Sequence, residues 1–149
     1  MRAIVQRIRR GSVTVDGQTI SETGCGLLVY VGVGQGDSED DVEYLASKLR
    51  FLRIFQDDEG KMNLDVVQSG GAILLVSNFT LFADVHQGRR PAFTTAAPPE
   101  IAERLYERLA ARLRELGVSV ATGRFGAMMA VDAVNVGPIN ILVDSRRAF

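Results

Sequence analysis

The chain has 149 residues, is 46% hydrophobic and 23% charged, and sets 17 basic against 18 acidic residues for a formal net charge of -1. A chain of this length supports one core without staples, and its single cysteine can form neither an internal bridge nor a cysteine-rich metal site, so a disulfide scaffold is excluded. The balanced charge argues against a wholly basic polyanion binder, and no apolar run reaches the ~18 residues of a membrane span; a cytoplasmic protein with one domain, residues 1–149, is expected.

Residues 2–8 and 12–20 read as strands, the second stretch folding back at Asp16-Gly17, a dipeptide that supplies the positive dihedrals of a two-residue hairpin. Cys25 reads as a small buried residue, and 27–31 as an apolar strand covered on both faces. Val42, Leu45, Ala46 and Leu49 recur at helical spacing, which predicts a helix over 38–51 capped by Asp37 or Ser38. A short strand at 52–55, a polar loop at 56–63 and a buried strand at 72–81 follow. A second helix opens at Pro98-Pro99-Glu100 and closes at Gly117, with proline in the first turn and glycine at the end. Strands at 118–121, 127–134 and 139–143 complete the chain, the last two separated by a turn at Gly137-Pro138. Two helices among seven or eight strands make an α/β chain of α+β type, with a mixed sheet and helices on one side.

Several segments are candidates for chemistry. Gly32, Gly34 and Gly36 lie between a strand and a helix, the order of a dinucleotide-binding turn, but the spacing fails because Asp37 stands where the third glycine belongs. A plain turn is the better reading. His86, the only histidine, has no evident triad or metal partners and reads as a loop residue. Arg104, Arg108 and Arg112 form a stripe on the second helix, read first as a solvated face with Glu100 pairing Arg104 and second as a nucleic-acid contact. Ser77-Asn78-Phe79-Thr80 puts polar groups at the end of a buried strand, where they are costly unless bonded or functional.

At these segments the sequence resembles the D-aminoacyl-tRNA deacylase family. The resemblance spans the chain in the family's order: residues 1–7 and 12–17, Gly60-Lys-Met-Asn-Leu64, 77–81, Gly88-Arg-Arg-Pro91, Ala96-Ala-Pro-Pro99, Gly123-Arg-Phe-Gly126 and Gly137-Pro138. It implies a three-layer sandwich of two β-sheets and a helical layer, a homodimer, and hydrolysis of the ester joining a D-amino acid or glycine to the 3' terminal adenosine of tRNA. No metal, cofactor, membrane or DNA partner is implied. By the same resemblance, Ser77, Asn78, Phe79 and Thr80 are the catalytic segment, whose amides around Phe79 and Thr80 hold the scissile carbonyl. Attack by water, assisted by the terminal ribose 2'-hydroxyl, is expected in place of a Thr80 nucleophile. Gly137 and Pro138, with a cis peptide, enter the partner's site and exclude an L side chain, Arg7 braces them, and Phe125 and Met129 contact the adenine. The chain departs from the family pattern at Asn78 (usually glutamine), Met128 and Val136 (usually aspartates) and Asn140 (usually threonine). Asn78 and Asn140 motivate an alternative reading, a catalytically silent tRNA-binding relative; a nucleotide-binding module at Gly32 to Gly36 is a third.

Overall fold

The computed structural model describes residues 1–149. Its elements in chain order are β1 (Arg2–Val15), β2 (Gln18–Thr23), β3 (Gly26–Gly32), α1 (Glu39–Phe51), β4 (Phe55–Gln56), β5 (Met62–Leu64), β6 (Ala72–Ser77), α2 (Pro99–Glu115), β7 (Val120–Thr122) and β8 (Ala130–Asp144), with a 3-10 turn at Phe79–Phe82. β4 and β5 form a small antiparallel pair. The other six strands form one sheet in which β8 flanks one side of β1 while β3 and then β2 flank the other. β6 continues the sheet parallel to β3, and β7 parallel to β6.

Side-chain alternation assigns the two faces. Ala3 and Val5 of β1, Leu27, Val29 and Val31 of β3, and Ile73 and Leu75 of β6 point to α1 and α2, which answer with Val42, Leu45, Leu49, Leu105, Leu109 and Leu113. Their alternating neighbours Leu28, Leu74 and Val76 pack on the opposite face against Ile8, Val13 and Val15. That second contact requires the sheet to curl over, and β2 does come back against β6 and β7. Gly11 marks the bend: a Cβ there would lie 3.0 Å from Ile8 and 3.2 Å from Leu74, and the β1–β8 register shifts between Ile8 and Gly11. The two main β layers are therefore halves of one bent sheet, with the helices as the third layer.

The Asp16-Gly17 hairpin is present, with φ of 49° and 76°. In α1, the Asp41 carboxylate accepts the Ser38 backbone N–H at 2.8 Å, closing a capping box. The arginine stripe of α2 is spent between helices: Arg104 lies 3.8 Å and Arg108 3.5 Å from Glu39, and Arg112 lies 2.9 Å from Glu43 and 3.2 Å from Glu115. Glu39 on the neighbouring helix, rather than Glu100, pairs Arg104. The Gly32 to Gly36 turn is filled by the protein itself. Asp37 is buried and accepts from the Gly34 N–H at 2.6 Å and from Arg146 at 2.8 Å, and a Cβ at Gly34 would lie 2.5 Å from the Phe82 ring. No cradle for a phosphate is left, which removes the nucleotide-binding reading.

Five local expectations are corrected. β1 is one strand over Arg2–Val15, because the bulge bends it without breaking its pairing with β8. Part of the expected polar loop forms β5, paired to β4. β6 stops at Ser77, and the apolar Phe79–Phe82 stretch turns as 3-10 helix. β8 runs through Gly137-Pro138 where two strands were expected. Cys25 is exposed, because it lies in the link before β3 and outside its buried run.

Candidate active site

The Ser77 to Thr80 segment emerges at the carboxyl ends of parallel strands β3 and β6, where open α/β sheets place their ligand sites. The Asn78 N–H still donates to the Val31 carbonyl at 2.7 Å, so the chain leaves the sheet only after Asn78. There the Asn78 side chain caps the turn: its Oδ1 accepts the Thr80 N–H at 3.1 Å and the Thr80 hydroxyl. Asparagine reaches two residues forward in this way, the geometry of an Asx turn, which a side chain one methylene longer does not reproduce. The cap has two chemical consequences. Thr80 gives its hydroxyl proton to an amide oxygen, which is no base, and its backbone amide is engaged. Phe79, as the first residue of the helical turn, has an N–H without a partner inside that turn.

The surroundings hold this turn from three sides. The Phe79 ring is 58% exposed and meets Phe93 edge-on at 4.9 Å. Arg2 donates to the Leu81 carbonyl at 3.2 Å, lies 4.5 Å over the Phe82 ring, and is anchored by Asp144 at 3.1 Å. The Thr95 hydroxyl donates to the Phe82 carbonyl at 3.3 Å.

β7 is parallel to β6, so the Gly123 to Gly126 turn that follows it leaves the sheet at the same end as Ser77. The Leu75 carbonyl accepts both the Gly123 N–H at 3.1 Å and the Tyr106 hydroxyl at 2.7 Å. Burial pushes the Tyr106 hydroxyl up to about 12, so it stays a neutral donor. Its ring lies 5.9 Å from that of Phe125, which packs toward the helical side, whereas Met129 packs on the opposite cluster. A Cβ at Gly123 would lie 2.6 Å from the Met129 sulfur, so the missing side chain lets Met129 close on the turn.

Gly137 and Pro138 lie elsewhere. Gln6 pairs with Asn140 and Ile8 with Asn135, so residues 136–139 all stand opposite Arg7 alone and bow out of the ladder. The Gly137-Pro138 peptide is cis, Gly137 has φ +124°, and both residues are exposed. Arg7 holds the bow by donating to the Val136 carbonyl at 3.3 Å and to the Ile54 carbonyl at 3.0 Å. Asn135 closes its base, one amide group donating to the carbonyls of Arg7 at 3.0 Å and Ile139 at 3.1 Å. Sequence reasoning assigned Asn135 no role; its position just before a Gly-Pro pair was the available signal.

The register also fixes how far this bow lies from the polar turn of its own chain. Arg7 pairs with Leu27 and Leu27 with Ile73, four residues before Ser77 on β6. That is about 13 Å along the strands and about 14 Å across three strand spacings, on the order of 20 Å in all. Of the departures from the family pattern, Met128 is 91% exposed, Val136 contributes its carbonyl, and Asn140 is exposed in the ladder opposite Gln6. Only Asn78 alters the hydrogen bonding of the polar turn.

No three His, Cys, Asp or Glu side chains converge anywhere to hold a metal ion, and His86 is spent on Asp84 at 2.6 Å. The family model described as D-Tyr-tRNA(Tyr) deacylase matches residues 4–144. The D-aminoacyl-tRNA deacylase of Heliobacterium modesticaldum is 52% identical over 98% of this chain and 97% of its own length. That of Carboxydothermus hydrogenoformans is 54% identical over 97% and 99%. Among solved structures, one titled c-Myc DNA Unwinding Element Binding Protein is 38% identical with a TM-score of 0.91, covering 97% of this chain and 98% of that one. One titled a probable eukaryotic D-amino acid tRNA deacylase has a TM-score of 0.82 over 95% and 97%; at 17% identity it speaks for the fold alone. The motifs at both ends of the sheet, the bent fold and the identity across the whole length agree: the chain belongs to the D-Tyr-tRNA(Tyr) deacylase family.

Proposed function

We propose that this protein hydrolyses the ester that joins a D-amino acid, or mischarged glycine, to the 3' terminal adenosine of tRNA; its relatives are named D-aminoacyl-tRNA deacylases. The observation that carries the chemistry is the Asn78-capped turn. It leaves Phe79 as the free backbone donor for the scissile carbonyl and gives Thr80 no base. Water adds to the carbonyl carbon, the developing oxyanion is held by the Phe79 N–H, and the ribose oxygen departs with the proton, the neighbouring ribose hydroxyl assisting. Phe125 and Met129, which pack on opposite sides of the Gly123 turn, are assigned to the adenine by the family resemblance alone.

Selection for the D configuration is read as exclusion by Gly137 and Pro138 of a second copy of the chain. The separation on the order of 20 Å within one chain supports action across subunits. The face of the sheet away from the helices supports a homodimer as well, because Ile4, Tyr30 and Leu142 line up across β1, β3 and β8; Tyr30 borders the second cluster and Leu142 is 59% exposed. The site of action is proposed to be cytoplasmic; no helix is long and apolar enough to cross a membrane.

The alternative, a silent tRNA-binding relative, draws on the engagement of the Thr80 amide by Asn78. Incubation with D-tyrosyl-tRNA and L-tyrosyl-tRNA separates the two: a deacylase releases D-tyrosine and spares the L ester, whereas a binder protects both.

A further inference from the structure

In a chain of near-zero net charge, the arginines that remain free are the informative ones. Arg104, Arg108 and Arg112 are neutralised by glutamates, and Arg7, Arg53 and Arg114 are spent on carbonyl or amide oxygens. Four arginines meet no carboxylate, no carbonyl or amide oxygen and no ring: Arg9, Arg89, Arg90 and Arg124, all exposed. Three of these four flank the polar turn. Arg89 and Arg90 sit in the loop that directly follows it, pinched shut by reciprocal backbone bonds between Asp84 and Ala92 at 2.8 and 2.9 Å. The chain returning from that loop supplies Phe93, the ring against Phe79. Asp84, the acidic residue of the loop, is taken up by His86 through both its backbone N–H at 2.9 Å and its ring at 2.6 Å. Arg124 precedes Phe125 in the turn that leaves the sheet beside Ser77.

We infer that Arg89, Arg90 and Arg124 form a phosphate-binding rim around the Phe79 turn, which grips the backbone phosphates of the single-stranded 3' segment carrying the ester. The guanidinium fork matches a phosphate in two hydrogen bonds, and three forks around one turn fix the strand's path so that its last nucleotide reaches Phe79. The inference rests on the hydrolase reading above and deepens it. Each phosphate contact to a single strand adds ~0.7 to the salt slope of log affinity, so the two loop arginines together contribute ~1.4.

The test compares the intact protein with the Arg89→Ala/Arg90→Ala and Arg124→Ala variants on two substrates, D-tyrosyl-tRNA and D-tyrosyl-adenosine, the second lacking any phosphate. With the tRNA ester, kcat/KM of the intact protein should fall between 50 and 200 mM salt by about sevenfold more than that of the double variant. Arg124→Ala should flatten the slope by about half as much. With D-tyrosyl-adenosine all three should be equal, and Arg104→Ala should match the intact protein on both substrates. Unchanged salt slopes in both variants, or equal losses on the two substrates, would overturn the rim. If the intact protein hydrolyses neither substrate, the hydrolase reading has failed; equilibrium binding of uncharged tRNA over the same salt series then decides the rim by the same slopes.

Discussion

Two polar stretches interrupt the sheet, and they are held in opposite ways. The turn after β6 is capped from within, by a side chain two residues away from the amide it satisfies. The bow in β8 is held from a distance, by Arg7 on β1 and through it by Ile54 before β4, with Asn135 tying its two ends. The Thr80 amide is thus set locally, while Arg2 and Thr95 hold the far end of the turn at the Leu81 and Phe82 carbonyls. A bow held by separate elements is as accurate as the whole sheet makes it, which suits the proposed wall against a second copy of the chain.

The difference can be broken at several points, the largest effect first. Phe79→Pro removes the free N–H, and proline is accepted at the first position of a helical turn. Loss of one oxyanion donor costs about 3–4 kcal/mol, so kcat on D-tyrosyl-tRNA should fall by roughly 100-fold or more with the melting curve little changed. Asn135→Ala acts on the other stretch and leaves two carbonyls without their donor. It should cost about 1–3 kcal/mol of stability in urea unfolding and should raise hydrolysis of L-tyrosyl-tRNA relative to the D ester. Asn78→Ala removes a cap for about 1 kcal/mol and frees the Thr80 amide, so the ratio of D to L hydrolysis should stay constant while kcat shifts. Thr80→Ala should do least, within about tenfold in kcat, since loss of a true nucleophile removes far more.

Legibility in the sequence divides along the same line. The Asp16-Gly17 hairpin, both helices and a cap at Asp37 or Ser38 were readable because their signals lie within a few residues of their effects. The Phe79–Phe82 turn was missed because four apolar residues after a buried strand have the composition of more strand; the asparagine before them was the only cue to a cap. The continuity of β8 was hidden for a different reason. A Gly-Pro pair ends a strand unless another strand keeps its register past it, and β1 does so with Arg7 alone opposite four residues. Asn135 and Ile54 belong to that same long-range arrangement, so neither stood out. The arginine stripe on α2 was ambiguous until α1 supplied Glu39 and Glu43.

The central claim is that the Phe79 turn of one copy works against the Gly137-Pro138 bow of the other. A Cβ at Gly137 would lie 2.8 Å from the Ile139 side chain and 3.0 Å from its backbone nitrogen at a φ of +124°, so Gly137→Ala must displace the bow and should admit L esters. Co-expressing that variant with an excess of Phe79→Pro chains, which have an intact bow and an impaired turn, pairs nearly every working turn with an intact bow from its partner. Hydrolysis of L-tyrosyl-tRNA should then disappear while D-tyrosyl-tRNA hydrolysis per Gly137→Ala chain is kept. Persistent L hydrolysis in the mixed dimers would show that each chain is screened by its own bow, and would contradict the account.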